Sequence, residues 1–285
     1  MKLGIITDIH LYPTPEDGRP FAWHNPYPIA RALAQYEAAL TRCVQENVDV
    51  IAILGDVSMM GDAASLHQGM ALAARTGKPI WVVPGNHDCT VSPDALADAI
   101  AAQQTATLTQ LTAHGFRPDP VRGLRVAGLG LASDNAGDSA RATETVAQHA
   151  WLSDGVIFLV HHPMISLKER CALYRLKYSG NLDNFDVVAP AIANRFSPTI
   201  VMHGHLHVRD EVAVGNVLQL SFAALIEPPH EIGIVEIEIK NMRDVIVRRR
   251  NLAIAPTDAK HLPVISAEET CWQLQDGLWR SAVSN

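Results

Sequence analysis

Cysteine is scarce and scattered in this 285-residue chain: Cys43, Cys89, Cys171 and Cys271 form no Cys-x-x-Cys pair. That spacing argues against a structural zinc site and against a disulfide framework. No apolar run reaches the ~20 residues that a membrane helix needs. The apolar stretch after Met1-Lys2 is also too short for a signal peptide, so a reducing cytoplasm is the expected compartment. Long blocks of one charge sign are missing as well. With 23 basic against 30 acidic residues the net charge is −7, and the densest basic run, Arg248-Arg249-Arg250, reads as a solvated strand end. Tracking a nucleic-acid backbone needs an extended basic face, so polymeric nucleic acid is disfavoured as a substrate.

What is present suits one moderate-sized enzyme. A hydrophobic content of 48% lets 285 residues bury a full core. In the first half, apolar runs of strand length alternate with helical spacing. Strands are expected at 3–7, 48–54, 80–83 and 121–131, with helices at 28–47, 63–75, 94–113 and 140–151. Gly77-Lys78-Pro79 stops the second helix. After His207 the character changes: VLQLSFAAL, EIGIVEIEIK and DVIVRRRNLAI read as successive antiparallel strands. Residues 1–262 read as the catalytic domain, with 263–285 as a tail docked on it or on a second subunit. Trp272 and Trp279 lie seven apart in that tail, at heptad-like spacing.

Chemistry is concentrated in five short segments. In order they are Asp8-Ile9-His10, Gly55-Asp56, Gly85-Asn86-His87-Asp88, His161-His162-Pro163 and His203-Gly204-His205-Leu206-His207. Each follows an apolar run, so oxygen and imidazole donors arrive at the carboxyl ends of strands, the edge where α/β sheets bind ligands. A divalent pair ~3.5–4 Å apart polarises a phosphoryl group and makes hydroxide available near neutral pH. Such a pair needs several imidazoles and carboxylates and one bridging anion. Asp8 and His10 project to the same side of an extended strand end, and Asp56 fits the bridge.

The ordered set resembles the calcineurin-like metallophosphoesterase superfamily, and within it the small bacterial phosphodiesterases of the cyclic-nucleotide and glycerophosphodiester type. That resemblance implies a four-layer α-β-β-α sandwich with two mixed sheets. It implies two divalent ions, with manganese, iron and zinc all compatible. Asp8, His10, Asp56 and His207 would hold the first ion, and Asp56, Asn86, His161 and His205 the second. His87 would stand by the leaving group, with Asp88 as its orienting carboxylate. His161 is preferred over its neighbour His162 because the ligand of that motif usually precedes the proline by two. His203 reads as a buried residue beside the site.

The implied reaction is hydrolysis of a small phosphodiester by metal-activated hydroxide. A phosphomonoesterase acting on nucleotides or proteins is the alternative, and a non-catalytic scaffold is the reading of another class. The partner expected is a small-molecule phosphoester, with no membrane, and a homo-oligomer stays open. One departure concerns Gly55-Asp56-Val57-Ser58-Met59, where many relatives carry a polar residue in place of Met59; that puts in doubt the bonds that orient a ligand such as His207. Two loops are candidates to shape the pocket. Residues 11–27 offer Arg19, Trp23, His24 and Tyr27, and residues 166–184 offer Lys168, Arg170, Arg175 and Lys177.

Overall fold

A computed structural model describes residues 1–13, 21–111, 116–121, 124–129, 155–180, 190–193, 197–257 and 259–282. The aliphatic runs of the first half form β1 (Lys2–Ile6), β2 (Val50–Ile53), β3 (Ile80–Val82) and β4 (Leu108–Gln110). Then come β5 (Phe116–Val121), β6 (Leu124–Leu129), β7 (Val156–Val160), β8 (Thr199–His203), β9 (Asp210–Val214) and β10 (Val217–Ser221). The chain ends with β11 (Glu231–Asn241), β12 (Asp244–Ala253), β13 (Glu269–Gln275) and β14 (Leu278–Ser281). Two mixed sheets result, ordered β14-β13-β12-β11-β1-β2-β3-β4 and β5-β6-β7-β8-β10-β9. Strands β1 to β4 run parallel, as do β6, β7, β8 and β10, and antiparallel strands complete each sheet. Every residue of β2, β3, β7 and β8 is buried, which is why these strands read as unbroken apolar runs.

Three apolar cores separate the layers. Helices α1 (Ala32–Gln45), α2 (Ala63–Ala74) and α3 (Ala95–Ala101) cover the first sheet through Tyr36, Leu40, Met70 and Leu96. Leu3, Leu54, Leu159 and Leu220 fill the space between the sheets. Phe158 and Val201 on the far side of the second sheet meet Ile192 of the helical residues 190–193. The order is α-β-β-α. Truncating one such buried side chain to alanine costs ~2–5 kcal/mol, so the strand ends that carry the site rest on a stiff support. A further short helix, α4 (Lys168–Leu173), follows β7. Among the described residues no helix is long and apolar enough to cross a membrane.

Several elements differ from the sequence expectation. The helix expected over 94–113 stops at Ala101, Gln104 turns with φ 50°, and β4 follows. Alanine content favoured helix, but Thr105, Thr107 and Thr109 are β-branched, and Ile80 takes Leu108 as its parallel partner. The strand after His207 is not simply antiparallel: β10 pairs parallel with β8 and antiparallel with β9. Trp272 and Trp279 occupy the two strands of a hairpin that extends the first sheet, not one helical face. Trp279 is buried and donates from Nε1 to Asn216 O at 2.8 Å. The helix expected at 140–151 lies outside the described residues, as does Arg19.

Candidate metal centre

The site grows directly out of the sheet edges. Beyond β1 and β2 the backbones stay paired: Asp8 N–H donates to Gly55 O, Ile9 and His10 N–H to Asp56 O, and Leu11 N–H to Val57 O. The Asp8-Ile9-His10 and Gly55-Asp56 segments are therefore one rigid unit. Five of the expected metal residues adopt left-handed backbone, Asp8 and His10 at φ 52°, Asp56 at 53°, His205 at 66° and His207 at 56°. For residues with a Cβ this conformation is costly, and it is held where surrounding structure dictates it. Two glycines make the close approach possible. A Cβ on Gly85 would collide with Asp56 Oδ1, and one on Gly204 with Thr7 Oγ1.

Two donor sets meet at one oxygen. Around the first, Asp8 Oδ1 lies 3.2 Å from His207 Nε2, His207 Nε2 lies 3.4 Å from His10 Nε2, and His10 Nε2 lies 3.7 Å from Asp56 Oδ2. Around the second, the same Asp56 Oδ2 is 3.3 Å from His161 Nε2, which is 3.1 Å from Asn86 Oδ1, which is 3.1 Å from His205 Nδ1. The His10 and His207 nitrogens face one another at 3.4 Å, long for a hydrogen bond. Ligands on a cation at ~2.1 Å, however, stand ~3.0–3.4 Å from one another. The donor atoms, their convergence and their burial fit a pair of divalent ions.

Outer contacts fix which nitrogen of His161, His205 and His207 faces inward. His161 Nδ1 donates to Leu54 O at 2.7 Å, which turns Nε2 to the site. Its neighbour His162 stands edge-on to His161 and lies with its ring 4.0 Å from that of His205. His205 Nε2 meets Ser179 Oγ at 3.0 Å, and His207 Nδ1 meets Glu227 Oε1 at 3.0 Å. His203 is buried and donates from Nδ1 to Gly204 O at 2.9 Å. A ring nitrogen of His87 lies within 4.8 Å of donors of His10 and Asp56, while His87 Nδ1 donates to Met59 O at 2.7 Å. The missing polar side chain at position 59 is thus answered twice: the Met59 carbonyl orients His87, and Glu227 orients His207.

Asp88 holds backbone and not the His87 ring. Its carboxylate accepts the N–H groups of Ser58 at 2.9 Å and Gly85 at 3.0 Å, so it clasps the Asp56 loop to the Asn86 loop, and the partner of His87 Nδ1 is Met59. Burial, with Asp56 nearby, pushes the Asp88 carboxyl up to about 7.

Burial would raise the other two carboxyls too, but His207 holds Asp8 below its usual range and His161 holds Asp56 well below it. In turn, against burial, Asp56 pushes His161 up to about 9, while Asp8 and Glu227 push His207 up to about 10. His10 falls to about 3 and His205 falls well below its ordinary value, both from burial. Positive charge is favoured at the two places where divalent ions would supply it.

Among the loop residues, His24 donates to Leu206 O at 3.0 Å, and Tyr27 stacks on His10 with its hydroxyl 3.4 Å from His207 Nδ1. Lys177 Nζ donates to Trp23 O at 2.5 Å and sits over the Trp23 ring. Arg170 is committed to a bidentate pair with buried Asp210. Lys168 and Arg175 are exposed. Glu227, Ser179 and the Met59 carbonyl were missed by motif reading.

A profile of the calcineurin-like phosphoesterases matches residues 1–209. No curated protein sequence matches the chain. Among solved structures, a dimetal phosphatase from Danio rerio is similar at 14% identity and TM-score 0.63, over 90% of this chain and 96% of that one. TT1561 of Thermus thermophilus is similar at 14% identity and TM-score 0.60, over 89% and 99%. A purple acid phosphatase from yellow lupin aligns at 14% identity and TM-score 0.51, over 88% of this chain and 51% of that one.

Proposed function

The chain belongs to the calcineurin-like phosphoesterase family, and from that premise we propose that it hydrolyses small phosphodiesters with two divalent ions. Asp8, His10, Asp56 and His207 hold one ion; Asp56, Asn86, His161 and His205 hold the other. The observation that carries this reading is the place of Asp56 Oδ2 in both donor sets. When bound, the ions supply Lewis acidity at phosphorus and lower the pKa of water. Mixed nitrogen and oxygen donors suit manganese, iron and zinc alike.

The chain's own residues do the rest. Leu54 O, Ser179 Oγ and Glu227 keep three imidazoles in one orientation each. With Nδ1 tied to Met59 O, His87 has Nε2 left to hold the proton that a departing alkoxide takes up. A diester carries one negative charge and needs fewer cations than a monoester. Arg170 and Lys177 are already engaged with Asp210 and the Trp23 carbonyl, which supports the diester. The alternative, a phosphomonoesterase, draws on the fold likeness to the dimetal and purple acid phosphatases.

The test compares bis(p-nitrophenyl) phosphate with p-nitrophenyl phosphate on chelator-treated protein reloaded with Mn²⁺. Faster turnover of the diester is expected. Preference for the monoester would move the enzyme to the phosphatases, and no turnover with any divalent ion would leave a scaffold.

A further inference from the structure

Glu227 is a fully buried carboxylate outside every motif, and it reaches a site histidine. Glu227 lies beyond residue 209, where the family match ends. Its Oε1 is 3.0 Å from His207 Nδ1, and its Oε2 accepts the Asn25 N–H at 2.8 Å. A carboxylate is buried at high cost unless its lone pairs are met, and here the partners are a site histidine and a loop that faces the site.

Backbone bonds fix where this carboxylate stands. Leu225 N–H donates to Thr7 O and Ile226 N–H to Asp8 O, so the segment entering Glu227 is laced to the end of β1, and His230 N–H closes back on Glu227 O. Glu227 follows the rung that places Asp8. Accepting the Nδ1–H of His207 fixes the ring so that Nε2 faces Asp8 and His10 and is the nitrogen that would give up its proton to an ion. The other oxygen anchors Asn25, in the segment that carries Trp23, His24 and Tyr27. That segment touches the site again where Tyr27 stacks on His10 and where His24 donates to Leu206 O.

Resting on the phosphoesterase reading, we propose that Glu227 is a positioning residue that couples the first half-site to segment 21–27. Ion binding by Asp8, His10 and His207 and the ordering of the substrate-facing wall are then one linked equilibrium. Linkage is reciprocal: whatever fixes the wall also favours the ion.

The experiment uses Mn²⁺ alone as probe. Chelator-treated wild type, Glu227→Ala and Glu227→Gln are titrated by calorimetry, and amide exchange over residues 21–27 is followed with and without the ion. In Glu227→Ala one of the two Mn²⁺ affinities falls about 10- to 100-fold, the range for losing an outer contact to a ligand. The other affinity falls less, because that half shares only Asp56 with the half that Glu227 braces. Mn²⁺ protects the Asn25 and Tyr27 amides in wild type and no longer does so in the variant. Should Glu227→Ala fail to fold, Glu227→Gln carries the test. A carboxamide keeps one acceptor for His207 but cannot also accept from Asn25, so affinity is partly rescued while Mn²⁺-linked protection is lost. Two wild-type affinities with unchanged protection in a folded variant overturn the role of Glu227 and leave the phosphoesterase reading intact. Wild type that binds no Mn²⁺ overturns that reading and this proposal with it.

Discussion

The two halves of the site are built differently around the same oxygen. Asp8, His10 and His207 are all buried, and they are braced by Glu227 and Tyr27, which come from outside the motifs. In the other half only His161 is buried. Asn86 and His205 are partly exposed, and the braces are the Leu54 carbonyl and the hydroxyl of exposed Ser179. Because a buried charged brace is stiff and a surface hydroxyl can swing away, one half resembles a fixed socket and the other an adaptable one. Members of a shared motif set need not be equally rigid; rigidity follows from what each ligand leans on.

His87 lies at the border of that comparison, since a ring nitrogen falls near donors of both His10 and Asp56. His87→Ala should keep both ions by elemental analysis while turnover drops about 10²- to 10⁴-fold, most severely with poor leaving groups. Loss of an ion in step with activity would make His87 a ligand and dissolve the two-half division. Chelation should separate the halves themselves. On mixing with a chelator, the ion proposed for Asn86, His161 and His205 should leave first, at a rate about tenfold or more above the other, and Glu227→Ala should narrow the gap. Simultaneous release from wild type would contradict the asymmetry.

A smaller effect concerns pH. In the metal-free protein His161, from one half, is raised to about 9 and His207, from the other, to about 10. Their ordinary value is about 6.5, so this stabilisation is complete below about pH 6.5 and is lost as pH climbs through 9 and then 10. Thermal melts of apoprotein between pH 6 and 10.5 should fall across that window. Glu227→Gln should pull in only its upper edge, because Glu227 is one of the groups that hold the proton on His207. A flat profile would show that the two histidines do not store protons beside Asp56 and Asp8. Least of all should change in Lys177→Met. Its contacts to Trp23 are at an exposed position, so KM is expected to shift within about threefold and both metal affinities to stay unchanged.

How much of this could be read beforehand depended on range. Strands β1, β2, β3, β7 and β8 were legible because strands buried on both faces leave unbroken runs, and their polar termini followed as Asp8, Asp56, Asn86, His161 and the His203-to-His207 segment. Residues 94–113 misled because alanine argues for helix locally while the pairing of Leu108 with Ile80 is a tertiary fact. Asp88 looked like the partner of its neighbour His87, yet adjacency in sequence sent the two side chains apart. Glu227 was invisible for the opposite reason. It sits 20 residues after His207 and reaches it only because residues 225 and 226 bond to Thr7 and Asp8. The hairpin carrying Trp272 and Trp279 was likewise hidden, since a seven-residue interval fits a helix as easily as two strands and a turn.

One carboxylate oxygen of Asp56 faces the donors of both halves. Electron paramagnetic resonance of the protein loaded with two equivalents of Mn²⁺, beside Asp56→Ala, tests it most directly. A spin-coupled pair is expected in wild type and no coupled signal in the variant. Two isolated Mn²⁺ signals in wild type, or coupling that survives in Asp56→Ala, would contradict it.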